Sequence, residues 1–152
     1  TAYKNTLYGF VIYHYSNNHL LTNNKVTDSN YGFSFDLTSN NTISGNTGQG
    51  KVSAVQIINA NDVQTTTISN NNFALSQFGV NIDNVTSSAI QISQNTFSAS
   101  VACVNAIKFT GTTVTVTDNV VNCPIIVQCD GSGTVQQDKN TGTFQQAVVC
   151  SK

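Results

Sequence analysis

The 152-residue chain has a formal net charge of −1 and only 9% charged residues, against roughly 25% in ordinary soluble domains. All seven acids are Asp and all six bases are Lys; Glu, Arg, Met and Trp are absent, while Asn (21) and Thr (20) dominate. The lack of Arg and of basic runs argues against a nucleic-acid partner, no apolar run approaches the roughly 20 residues that span a bilayer, and the shortage of helix formers beside plentiful Val, Ile, Thr, Tyr and Phe predicts an all-β domain.

Taken in chain order, the predicted strands repeat. Gly9-Phe10-Val11-Ile12 is followed by Leu21-Thr22-Asn23-Asn24. The pair returns as Gly32-Phe33-Ser34-Phe35 with Ile43-Ser44-Gly45-Asn46, and as Ala54-Val55-Gln56-Ile57 with Ile68-Ser69-Asn70-Asn71. It recurs as Gly79-Val80-Asn81-Ile82 with Ile92-Ser93-Gln94-Asn95, and as Ala106-Ile107-Lys108-Phe109 with Val116-Thr117-Asp118-Asn119. Ile126-Val127-Gln128-Cys129, a degraded Gln137-Asp138-Lys139-Asn140 and Ala147-Val148-Val149-Cys150 close the series. The last Asn of each copy follows its predecessor by 22, 25, 24, 24 and 21 residues.

Such a unit cannot bury its apolar face alone, whereas stacked units share a continuous core. Steps of 21–25 residues without a helical segment therefore predict a parallel β-helix of about six rungs, one domain over residues 1–152. Period-2 alternation turns Phe10, Ile12, Phe33, Phe35, Val55, Ile57, Val80, Ile82, Ile107 and Phe109 inward on the first strand. On the second it turns Leu21, Ile43, Ile68, Ile92 and Val116 inward, and Phe73, Phe97 and Val121 are expected to fill a third wall. The Asn column is expected in a turn, tolerating the left-handed conformation while its amides bond the rungs above and below. The chain opens midway through a rung, so it is expected to be a segment of a longer solenoid.

From Tyr8 to Asn46, the Tyr-Gly-Phe, Ser-Asn-Asn and Asn-Thr-Ile-Ser-Gly-Asn patterns resemble the right-handed β-helix repeats of the pectin-lyase-like group. That group holds carbohydrate-binding and sugar-hydrolase proteins and the periplasmic copper-binding repeat proteins. The resemblance implies a right-handed coil. It implies no single chemistry, because the motif belongs to the scaffold.

Rung alignment places Cys103 and Cys123 three residues before a first strand, and Cys129 and Cys150 at one inward position. Equivalent positions in adjacent rungs lie about 4.8 Å apart, inside the disulfide range. The bridges 103–123 and 129–150 are therefore predicted, stapling the rungs of residues 103–152 and implying an oxidising compartment: extracellular, cell-surface or virion-surface.

Tyr13, His14, Tyr15 and Asp36 form the predicted ligand-contact set, since aromatic faces stack on sugars and polar tips bond hydroxyls. The outward Asp36, Asp83 and Asp130 lie two rungs apart, about 9.6 Å on strand spacing, near the upper limit for an inverting carboxylate pair. They supply an alternative reading as a polysaccharide hydrolase. Thr42/Ser44, Thr67/Ser69, Gln91/Ser93 and Thr115/Thr117 make an outward hydroxyl array, a second alternative as an ice-binding face. Asn40 and Asn84 head N-glycosylation sequons. His14 and His19 lack a third ligand, so no metal and no cofactor are expected. The leading expectation is a structural or recognition module, of adhesin, surface-layer or tailspike type. Its partners would be a glycan or cell-surface polymer, or neighbouring subunits in a homo-oligomer.

Overall fold

The computed structural model describes residues 1–59, 65–75, 77–85, 89–99, 105–131 and 133–151. Among the described residues every strand pairing is parallel and no helix occurs. The chain coils into a β-solenoid. Its first face stacks Tyr8–Tyr13, Lys25–Asp36, Thr47–Ile58, Phe78–Asp83, Asn105–Thr110, Ile125–Asp130 and Gln146–Ser151. Its second is a six-stranded sheet of Leu20–Thr22, Thr42–Ser44, Thr66–Ser69, Ala89–Ser93, Thr113–Thr117 and Thr134–Asp138.

The third wall is not a separate sheet. Asn72–Leu75, Thr96–Ala99 and Val120–Asn122 stack on the early parts of the 12-residue strands Lys25–Asp36 and Thr47–Ile58. These two long strands run on into the first face, so both walls belong to one 11-stranded sheet. Register shifts between Val26 and Tyr31 mark where the first of them turns the corner.

The core follows the alternation. Phe33, Phe35, Val55, Ile57, Val80, Ile82, Ile107 and Phe109 are buried from the first face, and Ile43, Ile68, Ile92 and Val116 from the second. Phe73, Phe97 and Val121 close the third side. Phe10 and Ile12, in the first full rung, are only partly covered. In the third-wall column Val26–Gly48–Phe73–Phe97–Val121, Gly48 makes room for its neighbours. A Cβ there would come within 3.0 Å of the Phe73 ring and 3.3 Å of Phe33.

Two corners per rung need left-handed backbone. The first follows the first-face strand, at His14, Leu37, Asn59, Asn84, Gly111 and Gly131. The second falls at Asn23, Gly45, Asn70, Gln94, Asp118 and Lys139. This second set corrects one expectation: the left-handed residue is the one before each ladder Asn. Asn24, Asn46, Asn71, Asn95, Asn119 and Asn140 use their side chains differently. Each Oδ1 from Asn46 onward accepts the backbone N–H of the preceding ladder Asn, at 2.8–3.1 Å. Each Nδ2 in the same series reaches back to a second-face carbonyl (Leu21, Ile43, Ile68, Ile92, Val116) at 2.8–3.0 Å. Asn46, Asn71, Asn95 and Asn119 are almost fully buried, so the column satisfies turn groups that water cannot reach.

Cys129 and Cys150 are register partners, with Cα atoms 4.5 Å apart, and form a disulfide. The other expected bridge, 103–123, involves Cys103, which lies outside the described residues; Cys123 is buried and disulfide-bonded. Cys150→Ser opens a closure spanning 21 residues, and a loss of about 3 kcal/mol follows from the chain-entropy scaling. Urea denaturation of the oxidised parent beside the variant checks it.

Candidate functional site

The first-face strands present two outward columns. One runs Val11, Ser34, Gln56, Asn81, Lys108, Gln128 and Val149 in register, with Ser34 covered. Beside it, Tyr13 lies directly opposite Asp36, Asp36 opposite Ile58, and Ile58 opposite Asp83. The predicted contact set is thus brought together. Tyr13 and His14 have ring centroids 4.5 Å apart, and His14 and Tyr15 stack at 5.7 Å.

The backbone explains why three successive aromatics all project. His14 and Tyr15 both adopt positive φ, 60° and 56°, a region that bulky L-residues avoid. Their N–H groups are held by Asp36 and Leu37 carbonyls in the next rung, at 3.1 and 2.9 Å. Ladder bonds therefore hold the strained corner, and the rings are left at its tip. Tyr13 is 53% exposed and Tyr15 76%. Asp36 stands behind them, one carboxylate oxygen accepting from Asn59 Nδ2 at 3.0 Å.

The three outward carboxylates are separated as expected, by intervening rungs, and each is held by a different neighbour. Asp83 accepts from Thr110 Oγ1 at 2.9 Å. Asp130 accepts from Gln128 Nε2 at 3.1 Å and pairs with Lys108 at 3.3 Å. The Lys108 ammonium turns toward Asp130 in the following rung and not toward Asp83, and it also lies 5.7 Å from the Phe78 ring centroid. The alternation leaves either neighbouring rung open to a long side chain; the Asp130 carboxylate in the following rung takes the ammonium, while the Phe78 ring in the preceding rung lies beside it.

On the second face, outward residues align as Leu20–Thr42–Thr67–Gln91–Thr115–Gln136 and Thr22–Ser44–Ser69–Ser93–Thr117–Asp138. Ser69 Oγ donates to Ser44 Oγ at 3.4 Å. The array exists, but Gln91 interrupts the threonine column. Asn40 and Asn84 are exposed, and their amides donate to Asn18 and Asn59 of the preceding rung. Ladders of this kind, Asn18–Asn40 and Asp36–Asn59–Asn84, had no signal beyond the period itself.

The donors available to a metal are few. His14 stacks on the Tyr15 ring and meets the Tyr13 ring at a tilt, and His19 donates its backbone N–H to Asn41 Oδ1 at 3.0 Å. No described cysteine is free, and no three His, Cys, Asp or Glu converge among the described residues. This set does not fit a transition-metal centre, which draws on several imidazoles, thiolates or thioethers.

A search of curated proteins and of solved structures gives no match. One family model, described as periplasmic copper-binding protein (NosD), matches residues 1–126. With that match over most of its length and a solenoid of parallel rungs beneath it, the chain belongs to the NosD family.

Proposed function

We propose that the chain is a recognition module of the cell envelope or extracellular space that contacts glycans through Tyr13, His14, Tyr15 and Asp36. The family's description as periplasmic and the Cys129–Cys150 bridge both support an oxidising compartment outside the cytoplasm. The observation that carries the reading is the strained corner, which holds three contiguous aromatic rings in water beside a carboxylate. Aromatics held in solvent on a rigid support gain nothing from folding, so their apolar area stays available to a ligand. Tyrosine provides a flat apolar face and a hydroxyl at little conformational cost, the combination that a pyranose ring demands.

With so little charge, attraction would be short-range. Stacking and hydrogen bonds would set specificity, and binding would depend weakly on salt. Tyr13→Ala and Tyr15→Ala are each expected to lower glycan-array signal at least tenfold with the far-UV circular dichroism unchanged. Signal that survives both substitutions removes this site. Sugar release from a polysaccharide, abolished by Asp83→Asn, would move the assignment to the hydrolase reading.

A further inference from the structure

We infer that this chain shares its family's scaffold but holds no copper centre of its own. The family description names copper, so the donor chemistry can be set against it. Cu(I) selects soft sulfur, and Cu(II) selects imidazole with other nitrogen or oxygen ligands in tetragonal array. The chain has no Met, which removes every thioether. Among the described residues its thiols are engaged as well: Cys129 is fully buried and bonded to Cys150, and Cys123 is disulfide-bonded. Only a thiolate sulfur is a strong ligand, so sulfur here cross-links rungs.

Two imidazoles remain. His14 has Asp36 on the neighbouring rung, and that carboxylate already accepts from Asn59. One imidazole with one shared carboxylate falls short of the three or four convergent ligands of a transition-metal site. His19 adds nothing to it, since no three such groups converge among the described residues. The glycan reading is independent of this inference.

The test uses the oxidised full chain. It is mixed with Cu(II), or anaerobically with Cu(I), passed over a chelating resin, and its copper counted by mass spectrometry; a thermal melt with and without copper is the second readout. The expected result is well under one equivalent retained in both oxidation states, with an unchanged melting midpoint. One equivalent retained, with the raised midpoint that native-state binding produces, overturns the inference. Loss of that equivalent in His14→Ala or His19→Ala would place the site at the corner. Its persistence in both would place it elsewhere on the chain. Glycan binding repeated in chelator separates the two readings: a lost glycan signal contradicts metal independence, while absent glycan binding with no copper uptake removes only the glycan reading.

Discussion

Asn95→Leu is expected to cost on the order of 3–5 kcal/mol of folding stability, although it adds apolar surface to a buried position. The Asn95 Oδ1 accepts the backbone N–H of Asn71 at 3.0 Å and the Asn71 side-chain amide at 2.9 Å. Its Nδ2 donates to Ile68 O, Ser93 O and Asn119 Oδ1, at 2.9, 3.0 and 3.1 Å. Leucine removes all five bonds and leaves a backbone donor and a backbone acceptor buried without these partners, each costing about 1–3 kcal/mol. Asn24→Ala is the control. Asn24 is only partly buried, and its side chain makes one local bond, to Thr22 O, so a loss below about 1 kcal/mol is expected. Equal losses in urea denaturation would show that the ladder contributes nothing beyond ordinary turn propensity.

Phe97→Ala is the second large effect, about 3–5 kcal/mol. The ring is fully buried, and its centroid lies 6.0 Å from that of Phe73 in the rung below. The backbone of Gly79 also abuts it: a Cβ at Gly79 would lie 2.5 Å from the Phe97 ring and 2.6 Å from Ala106 O. Because the strands around it are tied on both sides by ladder bonds, the walls cannot collapse into the space, which puts the cost at the high end. Phe144→Ala, at a residue 36% exposed, is expected to cost far less. Midpoints of thermal or urea transitions decide it, and similar losses at the two positions would contradict the packing argument.

The columns of the core were legible because period-2 alternation within a 21–25-residue repeat fixes both the face and the rung of each residue. Phe33, Ile43 and Phe73 needed no other information. The same arithmetic placed Tyr13 beside Asp36 and Cys129 beside Cys150. Three things were not legible. Left-handed corners at His14 and Leu37 contradict residue preference, since their ladder bonds, and not their side chains, hold them there. The merging of the first and third walls depends on how Lys25–Asp36 and Thr47–Ile58 bend, and a bend leaves no periodic mark. The direction of Lys108 turns on the partners it meets in two different rungs, a tertiary choice made by Asp130 and Phe78.

The Asn ladder has a further consequence for evolution of length. Apart from local bonds to the Thr22, Ser93 and Thr117 carbonyls, its bonds join one rung to its immediate neighbour, and all of its Oδ1 acceptors point the same way along the axis. Such a chain of contacts has no fixed number of members. Excising residues 72–95 would set Asn71 directly before Thr96, giving the preceding rung the same asparagine beneath it and the same phenylalanine column beside it. The molecule is in this sense a ruler that can be cut or extended by whole graduations. A single-residue insertion within a strand would turn the rest of that strand to the wrong face, whereas steps that already vary from 21 to 25 residues show that corners absorb such changes, and a 24-residue insertion would only make the ruler longer.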